Sequence, residues 1–462
     1  MAASDLALPG PGSKSGLDRF LSLFTVVRPG EGVTAVLLAL NIFLFFVSYY
    51  ILKTVRESLI LGEYGAVVKS YSSAGQALLL MALVPAYGML ASKVNRIRFI
   101  TWVTLLFISN LVIFGLVGGA GGRIGVVFYI WLGIYNNMVP AQFWGFANDL
   151  YSEEQGKRLF PMIGVGASLG SWIGALIAGR AFRELGPYNL MVCSGAVLVA
   201  CILLARMAHL RESGRADPRR QEQAGQPLGR EGGFRLVLSS PYLRWIALLI
   251  MLLNLVNTTG EFLLGSVVER EADQRIGSLE ALRKEAPQNP EAKEKLAALE
   301  KEKKAIIGEF YGSIFAWVNL TGLLIQTLVV SHVFRLIGVR GALFVLPLIV
   351  LTGYSVLIAL PVLAIVRVIK ILENATDYSL QNTVRHALFL PTSREAKYKA
   401  KAAVDTFFPR AGDTLQAVVV FGGTTAGLGA AGFGVMNIVF IAFWLLVAGA
   451  IHREHKKIAA QA

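Results

Sequence analysis

Apolar stretches and short charged segments alternate along almost the whole chain. Each stretch is close to the roughly 20 apolar residues that a helix needs to cross a bilayer. Membrane-spanning helices are predicted over about 33–52, 73–91, 99–118, 124–147, 159–182, 188–205, 245–268, 310–337, 341–360, 361–385, 412–429 and 431–450. The pattern therefore predicts an all-α membrane protein with twelve transmembrane helices.

The polar segments between these stretches predict two six-helix halves. The longest basic segment contains the midpoint of the 462 residues, where a linker between two halves is expected. The fourth-to-fifth and tenth-to-eleventh connections are both charged, and each precedes a glycine-containing stretch. We predict a cytoplasmic tail at 1–32, a first half at 33–205, a cytoplasmic linker at 206–244, a second half at 245–451 and a cytoplasmic tail at 452–462.

Composition and charge agree with a membrane protein. Hydrophobic residues make up 55% of the chain and charged residues only 16%, against about 25% charged in soluble domains. This excludes an ordinary soluble protein and a disordered one. Lys and Arg are concentrated in alternate connections, which by the positive-inside rule predicts a multi-pass protein of the cell inner (cytoplasmic) membrane with both termini in the cytoplasm. The two cysteines, Cys193 and Cys201, are interpreted as small packing residues rather than metal ligands or a redox pair.

One charged segment, 269–304, interrupts the second half. Glu alternates with Lys or Arg along it, and Pro287 and Pro290 separate two helical patterns. A functional interpretation is a lid or a partner-docking element. We favour a solvated helical hairpin outside the membrane.

The predicted tenth span carries a polar stripe. A polar side chain inside the bilayer is costly, so it faces the protein interior or a wet cavity and marks a solute path. Residues at helical spacings of three or four predict one polar face, formed by Arg367, Lys370, Asn374, Asp377, Gln381 and Arg385. We interpret this face as a wall that lines a solute path. The alternative is that these residues form ion pairs with one another inside a packed bundle.

Three other spans carry polar groups within the apolar pattern. The first ends in Tyr49, Lys53, Arg56 and Glu57, which would also suit an interfacial anchor. The seventh has Asn254, Asn257, Thr258 and Glu261 on one face, and the fourth has Asn136, Asn137, Gln142, Trp144 and Asn148. Spans one, four, seven and ten line the cavity in transporters built from two six-helix halves.

Several kinds of site are absent from the sequence pattern. The chain has no phosphate-binding loop of a nucleotide-driven pump, no histidine pair with zinc-ligand spacing within a span, and no nucleophile with a base. A run of glycines at Gly164, Gly166, Gly170 and Gly174 has some similarity to a dinucleotide fingerprint, but it opens an apolar helix. We predict that Gly166, Gly170 and Gly174 form a tight helix contact, and we predict no metal, no cofactor and no enzymatic activity.

Several motifs resemble those of the nucleotide (ATP/ADP) translocases of plastids and intracellular bacteria. They are FWGFAN at 143–148, KRLF at 157–160, GVGA at 164–167, YSL at 378–380, KYKAKAAVD at 397–405 and ILKTVRE at 51–57. The resemblance implies a major-facilitator-like fold and exchange of nucleotides across a membrane by alternating access. It implies substrate-contacting roles for Arg56 and Arg385, where the family has lysines, and for the acid Glu261. This chain has no acid over 124–146, where the family has one.

We therefore predict a secondary transporter that exchanges ATP, ADP or a related polyanion. Substrate is predicted to contact Tyr49, Lys53, Arg56, Trp144, Glu261, Asn374, Asp377 and Arg385. Glu57 and Asp377 are the predicted partners of Arg56 and Arg385 in the empty site. Membrane lipid is a further partner, nucleic acid is not, and the monomer is the predicted functional unit. The alternatives are a proton-coupled or facilitative carrier of another organic anion, and a membrane scaffold that does not transport.

Overall fold

The computed structural model of the protein describes residues 15–91, 96–151, 153–212, 233–277, 279–360, 362–393 and 396–461. Nearly all of these residues are helical, as the apolar pattern predicts. The first 14 residues and most of the predicted linker, at 213–232, lie outside the described residues.

The helices before the linker form the first part of the molecule. They are α1 (Gly16–Leu21), α2 (Gly32–Glu63), α3 (Gly65–Ala91), α4 (Arg96–Gly119), α5 (Gly125–Leu150) and α6 (Glu153–Glu212). The helices of the second part are α7 (Gly233–Ser239), α8 (Pro241–Ile276), α9 (Glu280–Glu285), α10 (Pro290–Leu324), α11 (Val330–Ala342), α12 (Val345–Ala359), α13 (Leu363–Thr376), α14 (Asn382–Leu388), α15 (Lys401–Thr425) and α16 (Ala430–Gln461). In the described residues of the second part, three π-helical turns occur, at Ile325–Val329, Asp377–Gln381 and Ala396–Ala400.

Six of the described helical stretches are long and apolar enough to cross a membrane, and α12 is a shorter apolar helix. Two of the six, Arg158–Arg211 and Pro290–Ala342, have 54 and 53 residues, more than twice the length of one span. Each contains a glycine with positive φ, Gly186 at 71° and Gly338 at 66°, and this left-handed conformation bends the chain there. The protein is thus a multi-pass membrane protein, and the count of twelve spans stays a prediction.

The glycine run in α6 packs directly on the backbone of α2. A Cβ atom added at Gly166, Gly170 or Gly174 would lie 2.5, 2.2 or 2.5 Å from the carbonyl oxygens of Ala39, Phe43 and Val47, respectively. These distances are far below van der Waals contact, so no larger side chain fits. The predicted tight helix contact is confirmed.

The two parts of the molecule meet closely at one end of the helical bundle. We call the charged segment 269–304 the insert, and this end, where it lies, the insert end. There α10 contacts α2 and α6: Lys304 pairs with Glu63 at 2.8 Å, and Arg183 pairs with Glu302 at 2.9 Å and Glu309 at 2.7 Å. At the opposite end, Arg158 pairs with Glu31 at 3.0 Å and Tyr242 donates to the Leu388 carbonyl at 2.7 Å, and each of these contacts stays within one part. The bundle is therefore closed at the insert end. Both ends of the described chain lie at the opposite end, where α2 and α8 begin and α16 finishes.

The charged segment 269–304 forms the outer layer of the insert end. α8 continues into it as far as Ile276, α9 is one short turn, and α10 begins at Pro290. Its helices are joined by an ion pair between Arg283 and Glu300 at 3.1 Å. The two predicted helical patterns are present, and the last residues of the segment contact the first part of the chain.

Candidate functional site

A cavity of about 340 Å³ lies between the two parts, at the level where α2, α3 and α5 face α8, α10, α13 and α15. Its volume is within the range of small-molecule sites. Its lining is mostly polar, and its charged members are Lys53, Arg56, Glu57, Lys69, Glu261, Arg410 and Asp413. Uncharged polar lining comes from Tyr49, Ser70, Ser73, Gln76, Tyr129, Asn136, Asn254, Asn257, Thr258, Asn374, Tyr378 and Gln416.

A row of alternating charges runs from the first part into the second. Arg56 Nε donates to Glu57 Oε1 at 3.0 Å, and Glu57 Oε2 lies 2.6 Å from Lys69 Nζ. Lys69 Nζ is 3.8 Å from Glu261 Oε2 on α8, so the row crosses between the parts at this long contact. The row continues through Lys370 and Glu373 of α13.

We call these six residues the charge chain: Arg56, Glu57, Lys69, Glu261, Lys370 and Glu373. Lys370 Nζ is 3.4 Å from Glu261 Oε1 and 3.1 Å from Glu373 Oε1. If all six groups are ionised, their charges cancel. Because each cation contacts at least one carboxylate, an anion that entered the cavity would compete with protein carboxylates for the cations.

Lys53 differs from the charge chain because it is held by aromatic rings. Its Nζ lies 4.3 Å from the ring centre of Phe315, 5.1 Å from Tyr50 and 5.8 Å from Tyr378, within the range of cation–π interactions. In the part of the chain that the structure describes, no carboxylate lies within ion-pair distance of Lys53. This cation is therefore available to an anionic ligand.

Arg410 supplies a cation from the second part. Its guanidinium is 3.3 Å from Asp413 Oδ2 and donates to Asn137 Oδ1 of α5 at 3.3 Å. Asp413 also accepts from Asn254 Nδ2 at 2.6 Å. Both contacts of Arg410 are long, so its planar group of N–H donors is only weakly held and suits a phosphate or carboxylate.

Five of the eight predicted substrate-contacting residues line this cavity. They are Tyr49, Lys53, Arg56, Glu261 and Asn374. Asn374 donates to Glu261 at 3.1 Å, and the Arg56–Glu57 pair is the predicted one.

The other three predicted residues are not in the cavity lining. Trp144 packs edge-to-face on Phe143 and Phe160, with ring centres 5.2 and 5.5 Å apart. Arg385 pairs with Asp405 at 3.4 Å; among the described residues no ion pair joins Arg385 to Asp377, although Arg385 is a charged neighbour of Asp377.

The displacement of Arg385 has a local cause. The π-helical turn at Asp377–Gln381 adds a residue to the turn, and each residue of a helix turns it by about 100°. Arg385 therefore does not lie on the face of the helix that carries Asn374 and lines the cavity. A spacing rule for a regular α-helix does not include this rotation.

Sequence reasoning missed three charged residues that line the cavity: Lys69, Arg410 and Asp413. Lys69 and Arg410 lie before the predicted spans, which begin at 73 and 412, whereas α3 begins at Gly65 and α15 at Lys401. The polar lining itself lowered the hydropathy there. Asp413 lies within the predicted span that begins at 412 but was not singled out. Charged residues within one or two turns of a predicted span are the signal that would have found them.

Comparison with known proteins agrees with the resemblance seen in the sequence. Residues 125–264 match the model of the TLC ATP/ADP transporter family. This region includes α5, α6 and most of α8, and hence Glu261, but neither Arg56 nor Arg410.

Two relatives are ADP,ATP carrier proteins 1 of Chlamydia species. The protein of Chlamydia pneumoniae is 23% identical over 379 residues, which cover 71% of this chain and 66% of the relative. The protein of Chlamydia trachomatis serovar D is 24% identical over 328 residues, which cover 62% of this chain and 56% of the relative. The chain thus spans less than two thirds of the length of these relatives.

Solved structures of transporters share the fold. A bacterial homologue of the human lysosomal transporter Spinster, in an inward-facing and unoccupied conformation, has a TM-score of 0.58 at 15% identity and covers 92% of this chain and 98% of its own. The nucleoside transporter NupG has a TM-score of 0.59 at 12% identity and covers 90% and 98%. The fold is therefore that of major-facilitator-like transporters. Over residues 125–264 the chain is similar to the TLC ATP/ADP transporter family, and over a longer stretch it is distantly similar to the chlamydial carriers.

Proposed function

We propose that this protein is a secondary transporter that exchanges ATP, ADP or related phosphorylated anions across the membrane by alternating access. The central cavity is the proposed binding site. The observation that carries the proposal is the excess of cations in its lining, where Lys53, Arg56, Lys69 and Arg410 face Glu57, Glu261 and Asp413. A polyanion would complete the neutralisation of such a site.

The two kinds of contact suggest how a nucleotide would lie. The phosphates would take the fork-shaped donors of Arg56 and Arg410, which approach from opposite parts of the molecule. The aromatic rings of Tyr49 and Tyr378, together with the amides of α8, offer stacking and hydrogen bonds to a base or sugar.

The arrangement of the two ends supports alternating access. We propose that the two parts are six-helix halves, that the insert end faces away from the cytoplasm, and that both termini lie in the cytoplasm of a cell whose inner membrane holds the protein. In that orientation the structure faces inward, with the site open toward the cytoplasm. The Lys69–Glu261 contact at 3.8 Å would separate and re-form during the cycle.

Counterflow in proteoliposomes tests the proposal. Vesicles loaded with unlabelled ADP should take up labelled ATP, and the Lys53→Met variant should do so more slowly, because it removes the cation without a carboxylate partner. A Lys301→Met variant, which changes an exposed lysine of the insert, should exchange like the wild type. Absence of nucleotide exchange in the wild type would contradict the proposal.

A second candidate is a carrier of another organic anion. The observation that favours it is the lack of an acid over 124–146, which includes most of α5. Loading the same vesicles with dicarboxylates or sugar phosphates would distinguish the two, since only the second candidate predicts counterflow with these anions and none with nucleotides.

A further inference from the structure

The second-part end of the charge chain has more carboxyl groups than cations. Glu261 and Glu373 share a single lysine, Lys370, at 3.4 and 3.1 Å, and Asp377 lies near both Arg385 and Lys370. Carboxylates buried without a cation of their own are costly, and such groups bind a proton instead. One of these three groups is therefore expected to be a proton-binding site.

Glu373 is the best placed of the three. Only 2% of its surface is exposed, and it does not line the cavity. One of its oxygens faces Lys370, whereas Oε2 is buried and has no hydrogen-bond partner among the described residues. Asp377 lies four residues later on the same face, where like charges repel.

Glu373 lies in a closed region that also holds the Lys370 ammonium and the Tyr354 hydroxyl. A Cβ atom added at Gly260 would lie 2.0 Å from the Tyr354 hydroxyl and 3.0 Å from Lys370 Nζ, so this glycine leaves room for both groups. The charged, titratable and polar groups near Glu373 and its lysine are Lys370 and Asp377 of the same helical segment, Arg385 near Asp377, Glu261 and Asn257 of α8, Tyr354 of α12 and Asn437 of α16.

We propose that Glu373 takes up a proton from solvent when an anion occupies the cavity, so that the proton and the anion cross the membrane together. The new O–H bond forms on Glu373 Oε2. This inference rests on the proposed function only in requiring an anionic solute at the cavity.

The charge chain explains how the two events are coupled. An anion in the cavity attracts Lys69, and Glu261 then depends on Lys370 for its charge partner. Lys370 moves toward Glu261, and Glu373 loses its cation and binds a proton. In the reverse direction, protonation of Glu373 allows Lys370 to pair with Glu261 alone. Lys69 is then available to the anion. Each event therefore favours the other, as linkage requires.

The first experiment needs no ligand. Infrared difference spectra of the purified full-length protein, recorded between mildly alkaline and mildly acidic pH, should show the C=O stretch of a protonated carboxyl. The band should be lost in Glu373→Gln, shifted in Glu373→Asp, which keeps a titrating group, and retained in Asp377→Asn. A band that persists unchanged in both Glu373 variants would overturn the proposal.

The second experiment measures coupling. Isothermal titration of the wild type with ATP in two buffers of different ionisation enthalpy should give an uptake of about one proton per nucleotide, and affinity should weaken about tenfold per pH unit as pH rises. Glu373→Gln should still bind ATP, with proton uptake near zero, whereas Asp377→Asn should still take up a proton, but at a lower pH than the wild type, because a like charge beside Glu373 is removed. Equal proton uptake in wild type and Glu373→Gln would contradict the proposal and leave the proposed function intact. Loss of the infrared band in Glu373→Gln, in a protein that binds no nucleotide, would support the proton site and contradict the proposed function.

Discussion

At the scale of single residues, the position of a cation relative to the cavity decides its expected role. Arg56 lines the cavity, whereas Arg385 pairs with Asp405 away from it. Both are arginines that the sequence places on polar faces of apolar helices. Replacing each of these arginines in turn therefore gives a matched pair of variants with different expected outcomes.

Arg56→Gln should weaken nucleotide binding, and Arg385→Gln should not. Loss of a charge-assisted contact costs about 1.5–3 kcal/mol, which corresponds to roughly ten- to a hundredfold in affinity. The loss should be greater for a triphosphate than for a monophosphate, because the larger anion makes more such contacts. Affinities from titration calorimetry check this. An equal loss of affinity in both variants would show that the cavity is not the nucleotide-binding site.

Asp18 is a buried carboxylate outside the membrane-spanning helices that holds the start of α2. It accepts hydrogen bonds from the backbone N–H groups of Gly30 at 3.2 Å and Gly32 at 3.0 Å. Burial raises the pKa of this carboxyl, but these bonds and those from Ser15 outweigh it and lower the pKa from 3.8 to about 2. The folded-state pKa is depressed, so the stability from Asp18 is present above pH 3.8 and is lost as the pH falls toward 2.

Asp18→Asn should lower the midpoint of thermal unfolding at neutral pH, because an amide cannot accept as many backbone hydrogen bonds as a carboxylate. A cost of about 1–3 kcal/mol is expected. The control is Glu454→Gln, whose pair with Lys457 lies within one exposed helical turn. Equal midpoints for Asp18→Asn and the control would show that Asp18 does not hold α2.

At the scale of elements, the glycine run of α6 offers a second matched pair. Gly170 faces the Phe43 carbonyl oxygen of α2, whereas a Cβ atom at Gly164 would meet nothing within 4 Å. Gly170→Ala should therefore destabilise the fold by about 1–3 kcal/mol through overpacking, and Gly164→Ala should not.

Thermal unfolding of the two alanine variants in detergent, with and without nucleotide, checks this expectation. The Gly170 variant should unfold at a lower temperature and still be stabilised by a ligand. Unchanged stability with lost binding would mean that Gly170 touches the ligand rather than α2.

The sequence predicts the helical elements of this fold better than the groups that line its cavity. Helices and the α2–α6 contact follow from apolar stretches and glycine spacing, which act locally. Arg385 could not be placed, because the π-helical turn before it rotates the helix. Lys69 and Arg410 were missed because helices that line a wet cavity begin with polar residues, where a hydropathy pattern is interrupted.

At the scale of the whole molecule, the ion pairs of the insert end hold the two parts together. Arg183 on α6 contacts both Glu302 and Glu309 on α10, and Lys304 reaches Glu63 on α2. These pairs would have to open when the cavity faces the other side of the membrane. In the proposed transport cycle, the insert would therefore stabilise the conformation that is closed at this end.

Arg183→Gln should shift the molecule toward the conformation that is open at the insert end. Exposed pairs contribute up to about 1 kcal/mol, so the open population should rise on the order of fivefold. Thiol labelling of a cysteine placed at buried Ser58, beneath the Lys304 carbonyl, would measure it in a Cys193→Ser background.

The control for this shift is Arg275→Gln, because Arg275 pairs with Glu271 within α8 and does not link the two parts. Its labelling rate should equal that of the parent. Equal rates in the Arg183 and Arg275 variants would show that the insert end is held by packing alone.

The backbone contact between α2 and α6 also determines where the molecule can bend. Helices that touch at three successive carbonyl groups cannot slide past each other without a clash, so α2 and the glycine-rich stretch of α6 travel as one rigid body. Spin labels on these two helices would report a single separation in every state of the cycle. This constant separation is a reference distance with which changes in the position of α10 can be compared.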